Sequence, residues 1–402
     1  VTNWPETLGG CLMEISLSIT STEGVLAMLV GVCAFFFWLE KATQSRLFQY
    51  LPPLIFIYLT PVLLATQGIL PTKSPVYEII GLLVLPMMLV LLLLKVNVRG
   101  AIRVLGRGVG VMLFGTLGVM VGAPIGFLAV KPWLGPDAWK AFGTLAGSWI
   151  GGTGNMAAVS QMIDASGTDV GLAVIGDSVI YLFWLPILLG SKLFAERFAA
   201  FTGVDEDRVA KMTAAARAET NYTTAPTTPD ILGLLTVALF ASWIAELVAQ
   251  RLPTIDPYLS ASAWKILLIT ALGIGLSFTR LSKIPGSHEL AMALVYLFVA
   301  RMGAQTNLAN AAGQTLPFLV GATIWIFIHG AFCLLGAKLL RVDVHTAAIA
   351  SAANIGGAAS ASIVATHHQE SLVPASILMA LIGYAIGNFA GYATALLCLL
   401  VS

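Results

Sequence analysis

The chain is 402 residues long, 58% hydrophobic and only 10% charged, with a mean hydropathy of +0.89. Soluble domains carry about a quarter charged residues, so this composition excludes a water-soluble globular protein and calls for a lipid bilayer around most of the chain. A net charge of +1, with no basic run interleaved with aromatics, excludes nucleic acid as a partner.

Residues 1–23 have neither a basic flank nor an apolar core, which predicts an extramembrane N-terminal segment and no cleavable signal. Crossing hydrocarbon about 30 Å thick takes roughly 20 apolar helical residues. Such runs predict spans at 24–40, 51–70, 76–95, 107–130, 139–163 and 170–192, then at 230–250, 262–280, 288–303, 316–338, 344–366 and 372–400. Between the two sets, residues 193–229 mix charges, threonines and prolines, the composition of a polar linker, and their amphipathic middle predicts a surface helix. The chain thus divides into a first transmembrane half at 24–192 and a second at 230–402.

The fifth span of each half holds the same kind of interruption. "SWIGGTGNMAAVS" at 148–160 and "ANIGGAASASIVA" at 353–365 align Gly151-Gly152 with Gly356-Gly357, Ile150 with Ile355 and Val159 with Val364. The spans that follow align at Gly176 and Gly383. Internal duplication of this kind recurs in transporter folds, where the substrate sits at the repeat interface. Lys and Arg prefer cytoplasmic loops. With the halves inverted, Lys41, Arg46, Lys95, Arg99, Arg103, Arg107, Lys192, Arg197, Arg208, Lys211, Arg217, Arg280, Lys283, Lys338 and Arg341 all fall inside, fifteen of twenty-one. A parallel arrangement of twelve strict crossings leaves only nine there. Charge therefore favours inversion, yet six plus six full crossings would repeat in the same direction, so one crossing must be missing or hidden.

Gly143, Gly147 and Gly151 are spaced for close helix packing. Adjacent Gly151 and Gly152, with Gly154 and Asn155, go further and predict an unwound point, which at membrane depth must face protein or a cavity. A half-helix end carries about half a charge, so N-termini receive an anionic group and carbonyl ends a cation. Candidate substrate-binding residues are therefore Gly151, Gly152, Gly154, Asn155 and Ser160 in the first interruption, and Asn354, Gly356, Gly357, Ser360 and Ser362 in the second. Asn388, between Gly387 and Gly391, is expected across from the first break.

Asp177 in "LAVIGDSVIYLFW" lies about 11 Å into its helix at 1.5 Å per residue and is the only carboxylate so deep. With Ser178, Asn155 and Thr153 it forms the candidate site for a coupling sodium ion or proton. No catalytic set, metal ligand set or other cofactor is expected. His329 reads as a neutral interior residue, "HHQE" at 367–370 as a solvated turn, and Gln305, Thr306, Asn307 and Asn310 as a polar cluster at the end of a span. Cys11, Cys33, Cys333 and Cys398 form no CxxC pair and read as inert thiols.

The motifs "GSWIGGTGNMAAVS", "GDSVIYLFW", "AANIGGAASAS" and "GYAIGNFAGY" resemble those of the YjcL-like membrane proteins, a family of unknown function in bacteria and plant plastids, over nearly the whole chain. The resemblance implies a bacterial inner membrane location, or alternatively the plastid envelope. More distantly the sequence is similar to cation/proton antiporters and bile-acid-type sodium symporters. That similarity implies an all-α polytopic fold of about 10–13 transmembrane helices in two inverted repeats. It also implies two crossing broken helices, a scaffold, a moving core domain and a homodimer. In the antiporters an aspartate follows the first broken helix, where Asp177 stands; the acid or asparagine that precedes it there is Gly176 here.

The leading expectation is a secondary active transporter, sodium- or proton-coupled, moving a small anionic or zwitterionic solute by alternating access. A cation/proton antiporter is the alternative, and it would need only a narrow ion site. A membrane enzyme or a passive channel fits less well, since Asp177 and His329 stand isolated and the paired interruptions favour alternating access.

Overall fold

The computed structural model describes residues 18–45, 48, 53–204, 225–256, 258–306 and 308–402. Most of the N-terminal segment, the middle of the linker and Asn307 lie outside these residues. The first half comprises α1 (Thr22–Thr43), α2 (Pro53–Thr66), α3 (Pro75–Leu94), a short α4 (Val98–Leu105), α5 (Arg107–Val130), α6 (Trp139–Gly151), α7 (Thr153–Met162), α8 (Gly167–Gly190) and α9 (Ala195–Thr202). The second comprises α10 (Thr228–Ala249), α11 (Ala261–Ser277), α12 (Ser287–Ala304), α13 (Leu308–Leu340), α14 (Val344–Gln369) and α15 (Val373–Leu400). Among the described residues, seven helical segments are long and apolar enough to cross a bilayer, with Pro53–Thr66 and Ala261–Ser277 as shorter apolar helices.

Local chemistry sets the helix starts. Ser166 and Asp169 form a reciprocal capping box at α8, Thr227 and Asp230 another at α10, and Asp343 accepts from Thr346 N–H at α14. Glycine sets the two interruptions. Gly152 (φ 79°, ψ −173°) separates α6 from α7, and Gly357 (φ 64°, ψ −151°) divides α14. Both conformations are essentially confined to glycine.

At each interruption the chain turns back, where a broken helix continuing across the membrane was expected. Lys140 Nζ donates to Asp164 O at 3.0 Å, and Gly147 faces the backbone of Asn155 and Met156. An uninterrupted helix would hold residues 24 positions apart about 36 Å from each other, so α6 and α7 are the legs of a hairpin with its tip at Gly152. In α14, His345 Nδ1 lies 2.9 Å from His368 Nδ1, which makes a second hairpin with its tip at Gly357. Hydropathy and length cannot distinguish these hairpins from spans, because two half-depth legs have the length and composition of one crossing.

The neighbouring helices agree. Along α5 and α13, Gly126 faces Gly321, Gly122 faces Trp325, Gly118 faces His329 and Gly110 faces Leu340, so the two run antiparallel. Between α8 and α13, Gly176 faces Phe318 and Gly330 faces Trp184, so these run parallel. Helices α5 and α8 therefore run in opposite directions, and the chain between them returns to the side it left. Among the described residues, two hairpins stand where two of the twelve expected crossings were placed, one in each half, where the charge count had asked for one.

The helices sort into two bundles, one of α1–α3 with α10–α12, the other of α5, α6, α8 and α13–α15, with α7 between them. In the second bundle small residues bring backbones together: Gly143 meets Ala395, Gly147 meets Gly391 and Gly151 meets Gly383. Bonds between loops fix the two ends. Lys95 Nζ donates to Ser282 O (3.0 Å) and Ile284 O (2.9 Å), Arg107 to Leu340 O (3.4 Å) and Lys192 Nζ to His367 O (2.8 Å), all at one end. Lys131 Nζ donates to Val401 O (3.0 Å) and Gly135 N–H to Gln314 Oε1 (2.9 Å) at the other. The first end is the more basic, and the positive-inside preference assigns it to the cytoplasm. The first hairpin then enters from outside and the second from the cytoplasm.

Candidate functional site

The two hairpin tips meet. A Cβ on Gly152 would lie 3.7 Å from Gly357 Cα, and the Tyr384 ring touches both tips. Beside them is a cavity of about 610 Å³ bounded by both bundles. Gly152, Thr153 and Gly154 open the second leg of the first hairpin into it, and Gly357, Ala358 and Ala359 open the second leg of the other. Both contributions are helix N-termini. Asn155 N–H closes on Gly152 O at 3.0 Å and Tyr384 bonds the backbone of Ala358, and the helix dipoles still bring two half-positive ends to one space.

Asp177 lines the same cavity from α8. Its carboxylate accepts from Trp149 Nε1 at 2.9 Å and from Ser148 Oγ at 3.2 Å, both on the first leg of the first hairpin. Trp149 is fully buried and held against Trp325 with ring centroids 4.5 Å apart, which fixes the direction of its N–H. Two neutral donors leave the carboxylate with acceptor capacity toward the cavity. Ser178, Tyr181, Thr153, Ser360 and Ser362 line the same cavity, with the Ser178 hydroxyl donating to Val174 O at 2.7 Å. The Tyr181 hydroxyl, next to Ser360, is buried without a well-formed hydrogen bond.

The other bundle supplies the opposite wall: Leu54, Ile55, Leu92, Lys95, His288, Met292, Val295 and Tyr296. Leu54 and His288 begin their helices and Lys95 follows the end of α3, all at the basic end, so the cavity reaches toward the cytoplasm. Burial pushes the Lys95 ammonium below its ordinary value, against the attraction of Glu289. On the outer side the first hairpin closes the gap. Gly154 packs on Leu92, Ser260 Oγ donates to Met162 O at 3.3 Å, and the Tyr392 hydroxyl donates to Tyr258 O. The cavity is thus reached from the basic end and closed at the other.

A family model described as "Protein of unknown function (DUF819)" matches residues 27–400. The chain belongs to this family. It is similar to the protein named "Uncharacterized membrane protein YjcL" of Bacillus subtilis (strain 168), 26% identical over 339 residues, which is 81% of this chain and 84% of the relative. The DUF819 chain is thus an integral membrane protein, and the relative supports a bacterial inner membrane.

The DUF819 cavity gathers some of the expected residues and leaves others out. Gly152, Thr153, Gly154, Asp177, Ser178, Gly356, Gly357, Ser360 and Ser362 line it. Gly151, Asn155, Ser160, Asn354 and Asn388 do not. Gly151 packs against Gly383, Ser160 Oγ donates to Ala157 O (2.9 Å), and Asn354 Nδ2 donates to Met112 O (3.0 Å). Asn155 Nδ2 donates to Asn388 Oδ1 (2.7 Å) and Tyr384 O (3.1 Å), and Asn388 Nδ2 to Thr270 Oγ1 (2.8 Å). Apart from Asn354 Oδ1, which is buried without a partner, their polar side-chain atoms bond within the helix packing, and the last of these bonds ties the hairpin bundle to α11 of the other bundle. Asn388→Ala is expected to cost about 1–3 kcal/mol by leaving one buried Asn155 N–H without an acceptor and removing the tie to Thr270, which keeps its own bond to Ile266 O. It should lower the thermal unfolding midpoint in detergent, and an unchanged midpoint would contradict the tie.

Sequence reasoning missed Ser148, Trp149, Tyr181, Tyr384, Lys95, His288 and Tyr296. Tyr181, one helical turn after Asp177, carried a usable signal; the opposite wall carried none. His329 is a structural residue. Its Nδ1 donates to Gly115 O (2.9 Å), leaving Nε2 to accept from Ser351 Oγ (2.9 Å), which accepts in turn from Trp184 Nε1 (3.0 Å). Of the expected solvated turn at 367–370, His367, Gln369 and Glu370 are exposed at the end of α14, whereas His368 is 4% exposed and its Nε2 donates to Leu188 O at 2.9 Å. Of the cluster at 305–310, Thr306 is buried against Tyr58 at 2.7 Å.

Proposed function

We propose that this protein is a secondary transporter that carries a small anionic or zwitterionic organic solute by alternating access, coupled to sodium or protons at Asp177. The observation that carries the reading is the convergence of two half-helix N-termini and a lone membrane-buried carboxylate on one cavity between two bundles. The N-termini suit the solute's anionic group, and Asp177 with Ser178 and Thr153 suits the coupling cation. A volume of about 610 Å³ favours a solute over an antiporter that handles bare ions. No step of covalent chemistry enters this reading.

We read the halves as inverted repeats. Contacts are exchanged between them: Gly147 of the first hairpin meets Gly391 of α15, and Ser351 of the second meets Trp184 of α8. The equivalent helices α5 and α13 run antiparallel, which supports a two-fold axis in the membrane plane. In the repeat-related state the second hairpin would seal the cytoplasmic side as the first now seals the outer side.

The test is reconstitution into proteoliposomes on a sensor membrane, with carboxylates and amino acids offered singly under an imposed sodium or proton gradient. A solute-dependent current that requires the gradient is expected. Cation/proton exchange that no such solute alters would overturn the proposal in favour of an antiporter.

A further inference from the structure

A second cavity, of about 350 Å³, lies on the far side of the second hairpin, between its first leg, α8, α9 and α13. Trp184, Leu188, Phe198, Gly330, Ala347 and Ala348 shape it. The polar groups at its inner wall satisfy one another, through the Trp184–Ser351–His329 relay. A space without polar partners does not hold ordered water, and left empty it forfeits dispersion contacts along its lining.

Its surroundings identify the medium that fills it. Ile187, Phe327 and Leu334, on its open side, are 46%, 55% and 51% exposed, an apolar surface that in a bilayer meets acyl chains. Ser191 and Val344 place its mouth at the basic, cytoplasmic end. Leu193 and Phe194 beside the mouth are 86% and 55% exposed, as expected of groups immersed in the leaflet interface. Arg197 adjoins the lining residue Phe198 and Arg341 lies three residues before Val344; both are exposed and form no ion pair among the described residues, while Lys192 and Lys338 donate to His367 O and Phe201 O. Nearby Asp343 is occupied in capping Thr346. Glu196 beside Arg197 is a second acid there, so Lys192, Arg197, Lys338 and Arg341 outnumber Glu196 and Asp343, and the net positive charge complements a phosphodiester.

We propose that this cavity binds one acyl chain of an anionic glycerophospholipid of the cytoplasmic leaflet, with the lipid phosphate held by Arg197 and Arg341. The chain lies against the first leg of the second hairpin, so the lipid contacts the element that bounds the cytoplasmic side of the transport cavity.

The test uses the full chain in vesicles of phosphatidylcholine titrated with phosphatidylglycerol carrying brominated acyl chains, which quench nearby indoles. Trp184 is 5% exposed and lines the cavity, and its share of the signal is obtained against Trp184→Phe. Quenching of Trp184 that saturates at low phosphatidylglycerol content is expected, with apparent affinity about tenfold weaker in the Arg197→Gln/Arg341→Gln double variant. Ala348→Phe, which fills the cavity, should abolish the saturable component. Quenching that rises in proportion to brominated lipid whatever its headgroup, or persists unchanged in the double variant, would overturn the proposal. Should Ala348→Phe fail to fold, native mass spectrometry of the wild type and the surface double variant decides the matter: a retained phosphatidylglycerol lost in the variant supports the site, and equal retention refutes it.

Discussion

Asp177→Asn is expected to abolish gradient-driven accumulation of solute in proteoliposomes, with a loss of about a hundredfold or more. Asparagine preserves the shape of the side chain and an acceptor for Trp149 or Ser148, so the hairpin contact survives. The capacity to carry a negative charge is lost. A charge at membrane depth is worth about 2.5–3.5 kcal/mol on insertion scales, and 1.4 kcal/mol is a factor of ten, which sets the size of the effect. Passive exchange of solute between equal pools should persist, because the helix N-termini that receive the solute are intact. Undiminished accumulation in Asp177→Asn would remove this residue from coupling.

Gly357→Ala and Gly152→Ala should each destabilise the protein and stop transport. Both glycines adopt a backbone conformation that costs a residue with a Cβ about 1–3 kcal/mol. At Gly357 an added Cβ would lie 3.4 Å from the Tyr384 hydroxyl, and at Gly152 it would lie 3.7 Å from the opposing tip. Thermal unfolding in detergent and flux assays should both report the loss. Because the tips touch, the double variant should depart from additivity. Full retention of stability and flux in both single variants would mean that the tips do not form the site.

Much of this arrangement was legible in the sequence. Paired glycines inside apolar runs mark the two tips, and a carboxylate deep in the next helix marks the charge they face. The direction of the chain after each break was not legible, because hydropathy reads 24 residues of hairpin as one crossing. Only the mismatch between the charge count and the crossing count hinted at the reversal. The amides misled for a related reason. Asn155, Asn354 and Asn388 read as solute ligands beside a break, whereas Asn155 and Asn388 bond each other and a backbone carbonyl where Gly147, Gly151 and Gly391 pack closely, and Asn354 donates to Met112 O beside Gly115. Lys95, His288 and Tyr296 reach the cavity only through packing of the two bundles, which no local pattern encodes.

The account rests on two helices that turn back at mid-membrane from opposite sides, and labelling of single cysteines tests this without knowledge of the solute. With Cys11, Cys33, Cys333 and Cys398 replaced by serine, cysteines are placed singly at the exposed positions Asp137, Asp164, Arg341 and Glu370. A membrane-impermeant maleimide is then applied to right-side-out and inside-out vesicles. Positions 137 and 164 should both label from the outer face, and positions 341 and 370 both from the cytoplasmic face. Labelling of 137 and 164 from opposite faces would mean that the first interrupted helix crosses the membrane, and would contradict the account.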